Sequence, residues 1–177
     1  MIIAYSLLLT IQTVTKDELV SYIENDAKII VDSFVESAIE SAEEVHSDIT
    51  REDGKSSFLE THVWPVTLDV IKHYQSTDKL LTTLQIVSAI LHDVMEDNDK
   101  ILDLYSAKSY GFDAYFKHRF GDYVYSNAMI LKTKPLEIFD GPNEDVRKQQ
   151  RFFEYCSDLC SSKYDVKIIK LADRLNN

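Results

Sequence analysis

A His-Asp pair followed one turn later by a Glu-Asp pair, His92-Asp93-Val94-Met95-Glu96-Asp97, closes an apolar run that begins at Leu84. Towards residue 177 a lone carboxylate, Asp173, sits inside a second apolar run, Ile168-Ile169-Lys170-Leu171-Ala172-Asp173-Arg174-Leu175. A charged group beside an apolar core is costly unless it is paired or holds a metal. Imidazole and carboxylate together suit divalent cations such as manganese, iron and zinc. Two apolar runs, each interrupted by such residues, point to a buried metal centre built from distant parts of the chain. Neighbours on a helix point about 100° apart, so His92 and Asp93 reach one ion only from a helix edge. Asp173 is the obvious further ligand, and a histidine before residue 92 would complete a two-His, two-Asp set. The five histidines are His46, His62, His73, His92 and His118. Position alone does not choose among them, although His73, in the polar Lys72-His73-Tyr74, reads as solvated. Each motif also has a plain alternative. His92-Asp93 and Glu96-Asp97 could be the solvated last turns of a helix, and Asp173 could simply pair with Lys170 or Arg174.

The elements that must position these residues read as helices. The chain has 177 residues, enough for a sizeable core in one domain. Only four glycines and three prolines punctuate it, and apolar residues recur every three or four positions, so the expected fold is an all-α bundle. Thr15-Lys16-Asp17-Glu18 has the spacing of a capping box and predicts a helix from Lys16. Further helices are expected over 26–46, 58–74 (bent at Pro65), 78–97, 112–131 (interrupted near Gly121), 145–161 and 164–177. Residues 47–57 and 134–143 read as loops, and 98–111 as a connection with short helical content. Met1 to Val14 is apolar but lacks the basic start and cleavage site of a signal peptide, and it is too short to span a bilayer. It reads as a strand or helix packed on the domain, or as an interface segment.

The formal net charge of −11 carries no basic stripe, which argues against a general nucleic-acid binder. It does not exclude a small phosphorylated ligand, because a divalent cation and a few local Lys or Arg residues can reverse the field inside one cleft. The two cysteines, Cys156 and Cys160, read as small buried apolar residues. So few cysteines fit a reducing cytosol, and the expectation is a cytoplasmic protein with no membrane partner.

Taken together, the motifs resemble the HD superfamily of metal-dependent phosphohydrolases, and within it the RelA/SpoT-type alarmone hydrolase domain. That family has a leucine-rich helix ending in His-Asp-x-x-Glu-Asp, matched here by His92 to Asp97, and a later Lys-Leu-Ala-Asp-Arg-Leu-His-Asn, matched by Lys170 to Asn177 with Asn176 in place of the histidine. Arg51-Glu52-Asp53-Gly54 resembles its Arg-x-x-Gly loop, and His62 then falls where its first metal histidine is expected. The family has His-Pro directly, whereas Pro65 here comes three residues after His62, and the Gly54 to His62 spacing is about two residues longer. Phe120-Gly121-Asp122-Tyr123-Val124 and Leu131-Lys132-Thr133-Lys134-Pro135 resemble two further segments. The resemblance covers residues 34–177 and leaves 1–33 as an N-terminal extension. The family continues with a further helix or two, so the segment is either truncated or a minimal domain. No nucleotide-synthesising domain follows it, as in the small stand-alone hydrolases.

The resemblance implies a metal site of His62, His92, Asp93 and Asp173, with manganese as the ion. It implies that Glu96 and Asp97 orient the nucleophile and handle protons, that Arg51 contacts a phosphate or the base, and that Asn177 contacts the nucleoside. Lys132, Lys134 and Arg147 are candidate phosphate partners. The implied reaction is hydrolysis of the 3′-pyrophosphate of ppGpp or pppGpp to GDP or GTP and pyrophosphate. Two alternatives stand beside it: an HD phosphohydrolase of another nucleotide, and a nucleotide-binding or interaction module that has lost turnover. Oligomeric state is not legible.

Overall fold

A computed structural model describes residues 13–51, 53–96 and 111–177. Among the described residues seven α-helices form the architecture: α1 (Lys16–Asn25), α2 (Ser33–His46), α3 (Trp64–Gln75), α4 (Thr83–Ile90), α5 (Phe112–Leu131), α6 (Glu144–Ser161) and α7 (Tyr164–Asn176). A π-helical turn, Leu59–Val63, leads directly into α3. The expected all-α bundle is the observed fold.

α3 is the axis of the bundle. One of its sides, with Trp64, Leu68 and Ile71, joins the main apolar cluster contributed by α1, α2, α4 and α5. Val66, Val70 and Tyr74 on its other side join a smaller cluster with Leu131 of α5 and Val166 and Ile169 of α7. Burying a side chain of this size is worth roughly 1.5–3 kcal/mol, so a helix apolar on two sides fixes its neighbours on both. α1 belongs to the same main core, with Leu19 and Ile23 fully buried. α6 has no fully buried residue and lies on the periphery beside α5 and α7.

Several boundaries differ from expectation. Thr15 does form the capping box of α1, but the run over 26–46 is not one helix. The Ile29 N–H reaches back to the Ile23 carbonyl at 3.0 Å, with Lys28 in the left-handed region at φ 57°, and α2 restarts only where Asp32 accepts from the Phe34 and Val35 N–H groups. Left-handed helix ends usually carry glycine, so a lysine there gave no signal. The 58–74 helix is present as one unbroken helical run from Phe58 to Gln75, but its opening turns, Leu59–Val63, are π-helical and Pro65 follows them directly in the first turn of α3. The 78–97 helix is far shorter. Thr82, with Gln85, caps α4, which ends at Ile90, and Leu91 to Glu96 form tight turns in which Val94 N–H bonds to Leu91 O and Glu96 N–H to Asp93 O. The interruption at Gly121 is real: its φ of 79° and ψ of 170° divide α5. Cys156 is half-buried and Cys160 exposed, so neither is the buried apolar residue expected. Residues 1–12, 52 and 97–110 lie outside the described residues, and with them most of the apolar N-terminal segment, the 98–111 connection and Asp97.

Candidate metal centre

The wide π-helical turn carries His62, which is 2% exposed. The turn after α4 carries His92, also 2% exposed, and the half-buried Asp93. α7 brings in Asp173, 4% exposed. Helices α3, α4 and α7 pack mutually, so three segments distant in sequence meet at one point.

At that point His62 Nε2 and His92 Nε2 each lie 3.1 Å from Asp93 Oδ2 and 3.3 Å from each other. The far nitrogen of each ring is committed. His92 Nδ1 faces the Ala89 carbonyl oxygen at 2.8 Å, and His62 Nδ1 faces Asn176 Oδ1 at 2.8 Å. Each Nδ1 therefore donates, which leaves each Nε2 as a lone pair in the neutral ring. Two lone pairs and a carboxylate oxygen then crowd one small volume, an arrangement that repels itself unless a positive charge sits among them. Ligands at roughly 2.1 Å from a common ion stand about 3.0–3.4 Å apart in octahedral or tetrahedral sites, and the observed separations match. The cluster His62, His92 and Asp93 can hold a metal ion.

The titration behaviour expresses the same demand. Burial alone disfavours a charged His92, but the Asp93 charge and hydrogen bond, with the Ala89 carbonyl, outweigh it and raise its pKa. Burial alone would raise Asp93. With a proton rather than an ion among the three groups, the His92 charge and the hydrogen bonds from His62 and His92 instead hold it well below the usual carboxylate range. A proton or a metal ion supplies the charge that the cluster lacks.

Asp173 stands one step back. Its Oδ1 is 3.5 Å from His62 Nε2 and accepts from Asn177 Nδ2 at 2.6 Å, while Oδ2 pairs with Lys170 Nζ at 2.6 Å. The plain alternative for Asp173, a pair with Lys170, is thus present together with its place beside the cluster.

The centre opens into a cavity of about 230 Å3 lined by His62, Asp93, Glu96, Asp173 and Asn177, among others. Glu96 is exposed and accepts from the Thr133 backbone N–H. It reaches the cavity from a turn, so helical i,i+4 spacing from His92 is not what places it there. Arg51 and Asn177 meet each other, Arg51 Nη1 donating to Asn177 Oδ1 at 3.3 Å. Lys132 and Lys134 line a second cavity of about 190 Å3; Lys134 is held by Glu154 at 2.5 Å and Asp158 at 2.8 Å. Arg147 lines neither cavity. His73 is not solvated: it is half-buried, with Nε2 2.5 Å from the Tyr164 hydroxyl.

Sequence reasoning missed the support that Asn176 gives His62, and the contribution of Lys170, Arg174 and Arg151 to the cavities. Asn176 lies three residues after Asp173, a spacing that returns to the same helix face, and that was the available signal. No protein-family model matches the chain, and comparison with curated proteins finds no match.

Proposed function

We propose that this chain is a metal-dependent phosphohydrolase that removes the 3′-pyrophosphate of a guanosine nucleotide such as ppGpp. The observation that carries the reading is the convergence of His62 Nε2, His92 Nε2 and Asp93 Oδ2 on one point, in a cleft that also contains a carboxylate, Glu96. The residue order and motifs of the alarmone hydrolases supply the substrate class. Manganese is the proposed ion, held by these three residues with Asp173 as the adjacent fourth.

Bound there, a divalent cation would lower the pKa of water and draw charge from a phosphoryl oxygen. The protein's own part is positioning and proton transfer. The Thr133 N–H fixes Glu96 Oε1, leaving Oε2 to accept a proton from the attacking water. The water oxygen bonds to the phosphorus carried on the 3′-oxygen, the bond from that oxygen to phosphorus breaks, and pyrophosphate departs. The 3′-oxygen takes up a proton. Asp97 shares the proton handling in this proposal. Asn177, which lines the cleft, and Arg51, which donates to it, hold the nucleoside.

One observation favours a second reading. Lys170 and Asn177 occupy both oxygens of Asp173, and a carboxylate so engaged is a weaker ligand. A nucleotide-binding module without turnover would keep that arrangement. The deciding experiment follows pyrophosphate release from ppGpp by the purified chain with manganese. Release is expected, and Glu96→Gln should slow it by roughly 10²–10⁴-fold with unchanged metal content. Calorimetric binding of ppGpp without release at saturating metal would support the module. Faster turnover of a nucleoside 5′-monophosphate would move the proposal to another nucleotide.

A further inference from the structure

Among the described α-helices, α6 alone has no fully buried residue. One of its sides is held to the body: Leu159 packs on the smaller apolar cluster, the Lys170 ammonium lies 5.5 Å from the centre of the Tyr155 ring, and Glu154 and Asp158 share Lys134. Val146, Gln149, Phe153, Cys156 and Cys160 follow one another at steps of three, four, three and four residues on the other side. That alternation is the seam along which two helices pack knobs into holes. Val146 and Cys156 are half-buried, and Gln149, Phe153 and Cys160 are exposed. In a chain of which 28% is charged, neither these five residues nor Gln150 and Ser157 beside them carry a charge. Of eight phenylalanines only Phe152 and Phe153 are exposed, at 63% and 62%. Scarce charge and solvent-facing aromatics are what distinguish the centre of a protein interface from ordinary surface.

Charge identifies the occupant. At a net charge of −11 two copies of this chain repel each other, so they can meet only on a face where like charges stay apart. The first half of α6 holds Glu144, Asp145, Arg147, Lys148 and Arg151, an excess of one positive charge. The second half holds Glu154 and Asp158 and no cation; with the shared Lys134 it keeps an excess of one negative charge. Laid antiparallel on itself, each half meets the opposite sign, and each helix end meets the opposite end of the other dipole. A parallel pair would set like against like. The seam is therefore complementary to itself, which is the condition for a two-fold contact between identical chains.

We propose that the outward seam of α6 is the contact surface of a homodimer, in which two copies of this chain pair their α6 helices antiparallel about a two-fold axis. In the register that sets seam positions of alternate type against each other, Phe153 packs on Cys156 of the partner subunit and Gln149 on Cys160 of the partner subunit. From Val146 to Cys160 the seam runs about 21 Å at 1.5 Å per residue. So short a contact makes the dimer a weak one, with Kd on the order of micromolar. The proposal is independent of the phosphohydrolase reading, since no residue of the seam lines the metal centre.

Sedimentation equilibrium of the full chain tests it, from about 1 to 200 μM, a range that brackets such a Kd. The mass should rise with concentration from 20.4 kDa towards twice that value. Phe153→Glu should weaken association roughly 10–100-fold, the effect of losing an aromatic anchor. Leu80→Glu makes the same change of charge at a leucine that is 80% exposed elsewhere, and it should dimerise as wild type does. Thermal unfolding at a concentration where the chain is monomeric should be the same in all three proteins, because Phe153 makes little contact within its own chain. Orientation is read from mild oxidation: Gln149→Cys should form a disulfide-linked dimer through Cys160 of the partner subunit at least tenfold faster than wild type. A chain that stays monomeric throughout, or a dimer that Phe153→Glu leaves intact, overturns the proposal. So does a Phe153→Glu monomer that unfolds at a lower temperature, since the face would then be covered from within the chain. Fast linkage of wild type through Cys160 would mean a parallel pair and overturns the antiparallel contact.

Discussion

Asn176 shows how much of the site rests on one amide. Its Oδ1 receives His62 Nδ1 at 2.8 Å, which fixes the tautomer and turns Nε2 towards Asp93. Outer partners of this kind are worth about 10–100-fold in metal affinity. Asn176→Ala should weaken manganese binding by that factor, measured by competition with a chromophoric chelator, whereas Asn176→Asp should restore it because a carboxylate accepts the same proton. Equal affinity in all three proteins would mean that His62 is oriented by packing alone, for instance against Phe58, whose ring centroid is 4.8 Å away. At this scale residue type was legible and partnership was not. His92 and Asp93 could be singled out because they interrupt an apolar run. That His62 completes the cluster could not be derived from its neighbours, since a π-helical turn with no side-chain cap places it.

At the scale of elements, Gly121 illustrates what composition does reveal. Its φ of 79° and ψ of 170° lie where residues with a side chain are strained, while a Cβ there would meet nothing within 4 Å. The cost of replacing it is therefore conformational. Gly121→Ala should lower stability by roughly 1–3 kcal/mol, read from denaturant unfolding at unchanged m-value. A loss near zero would show that α5 can straighten. The half of α5 after the kink carries Asn127, which donates to Ser88 Oγ of α4 at 3.1 Å, so the bend aligns the helix that precedes His92. The scarcity of glycine made this interruption readable. The end of α1 was hidden because Lys28, not glycine, adopts the left-handed conformation. The early end of α4 was hidden because Leu91, Val94 and Met95 remain fully buried: apolar periodicity reports burial, and a buried turn keeps it.

Across the whole molecule, the His62–His92–Asp93 cluster lies where the two apolar clusters meet. His62 belongs to the segment packed in the main core, and Asp173 to the helix that anchors the smaller one. An ion there would tie both together and stabilise the folded state by mass action. At a free concentration one hundred times Kd the gain is about 2.7 kcal/mol, which for a chain of this size corresponds to roughly 5–10 °C in Tm. Chelation should reverse the rise in wild type and leave Asp93→Ala unmoved; a wild-type Tm indifferent to manganese would count against the site. No helix among the described residues is long and apolar enough to cross a membrane. The class of fold was legible at this scale because scarce turn residues and helical periodicity agree. The second cavity was not: its cations come from three separate stretches, around Lys132, Arg151 and Arg174, and net charge averages them away.

The π-helical turn at Leu59–Val63 has a bearing on descent. Such a turn accommodates one residue more than an α-helical turn while the helix beyond it keeps its register. A lineage can gain or lose a residue there and leave the packing of α3 intact, so the interval from Gly54 through His62 to Pro65 is not a fixed ruler. Chains of common ancestry could carry the same ligand at different counts from the same proline. The count of residues from His62 to Pro65 therefore does not by itself decide whether this histidine can reach the cluster.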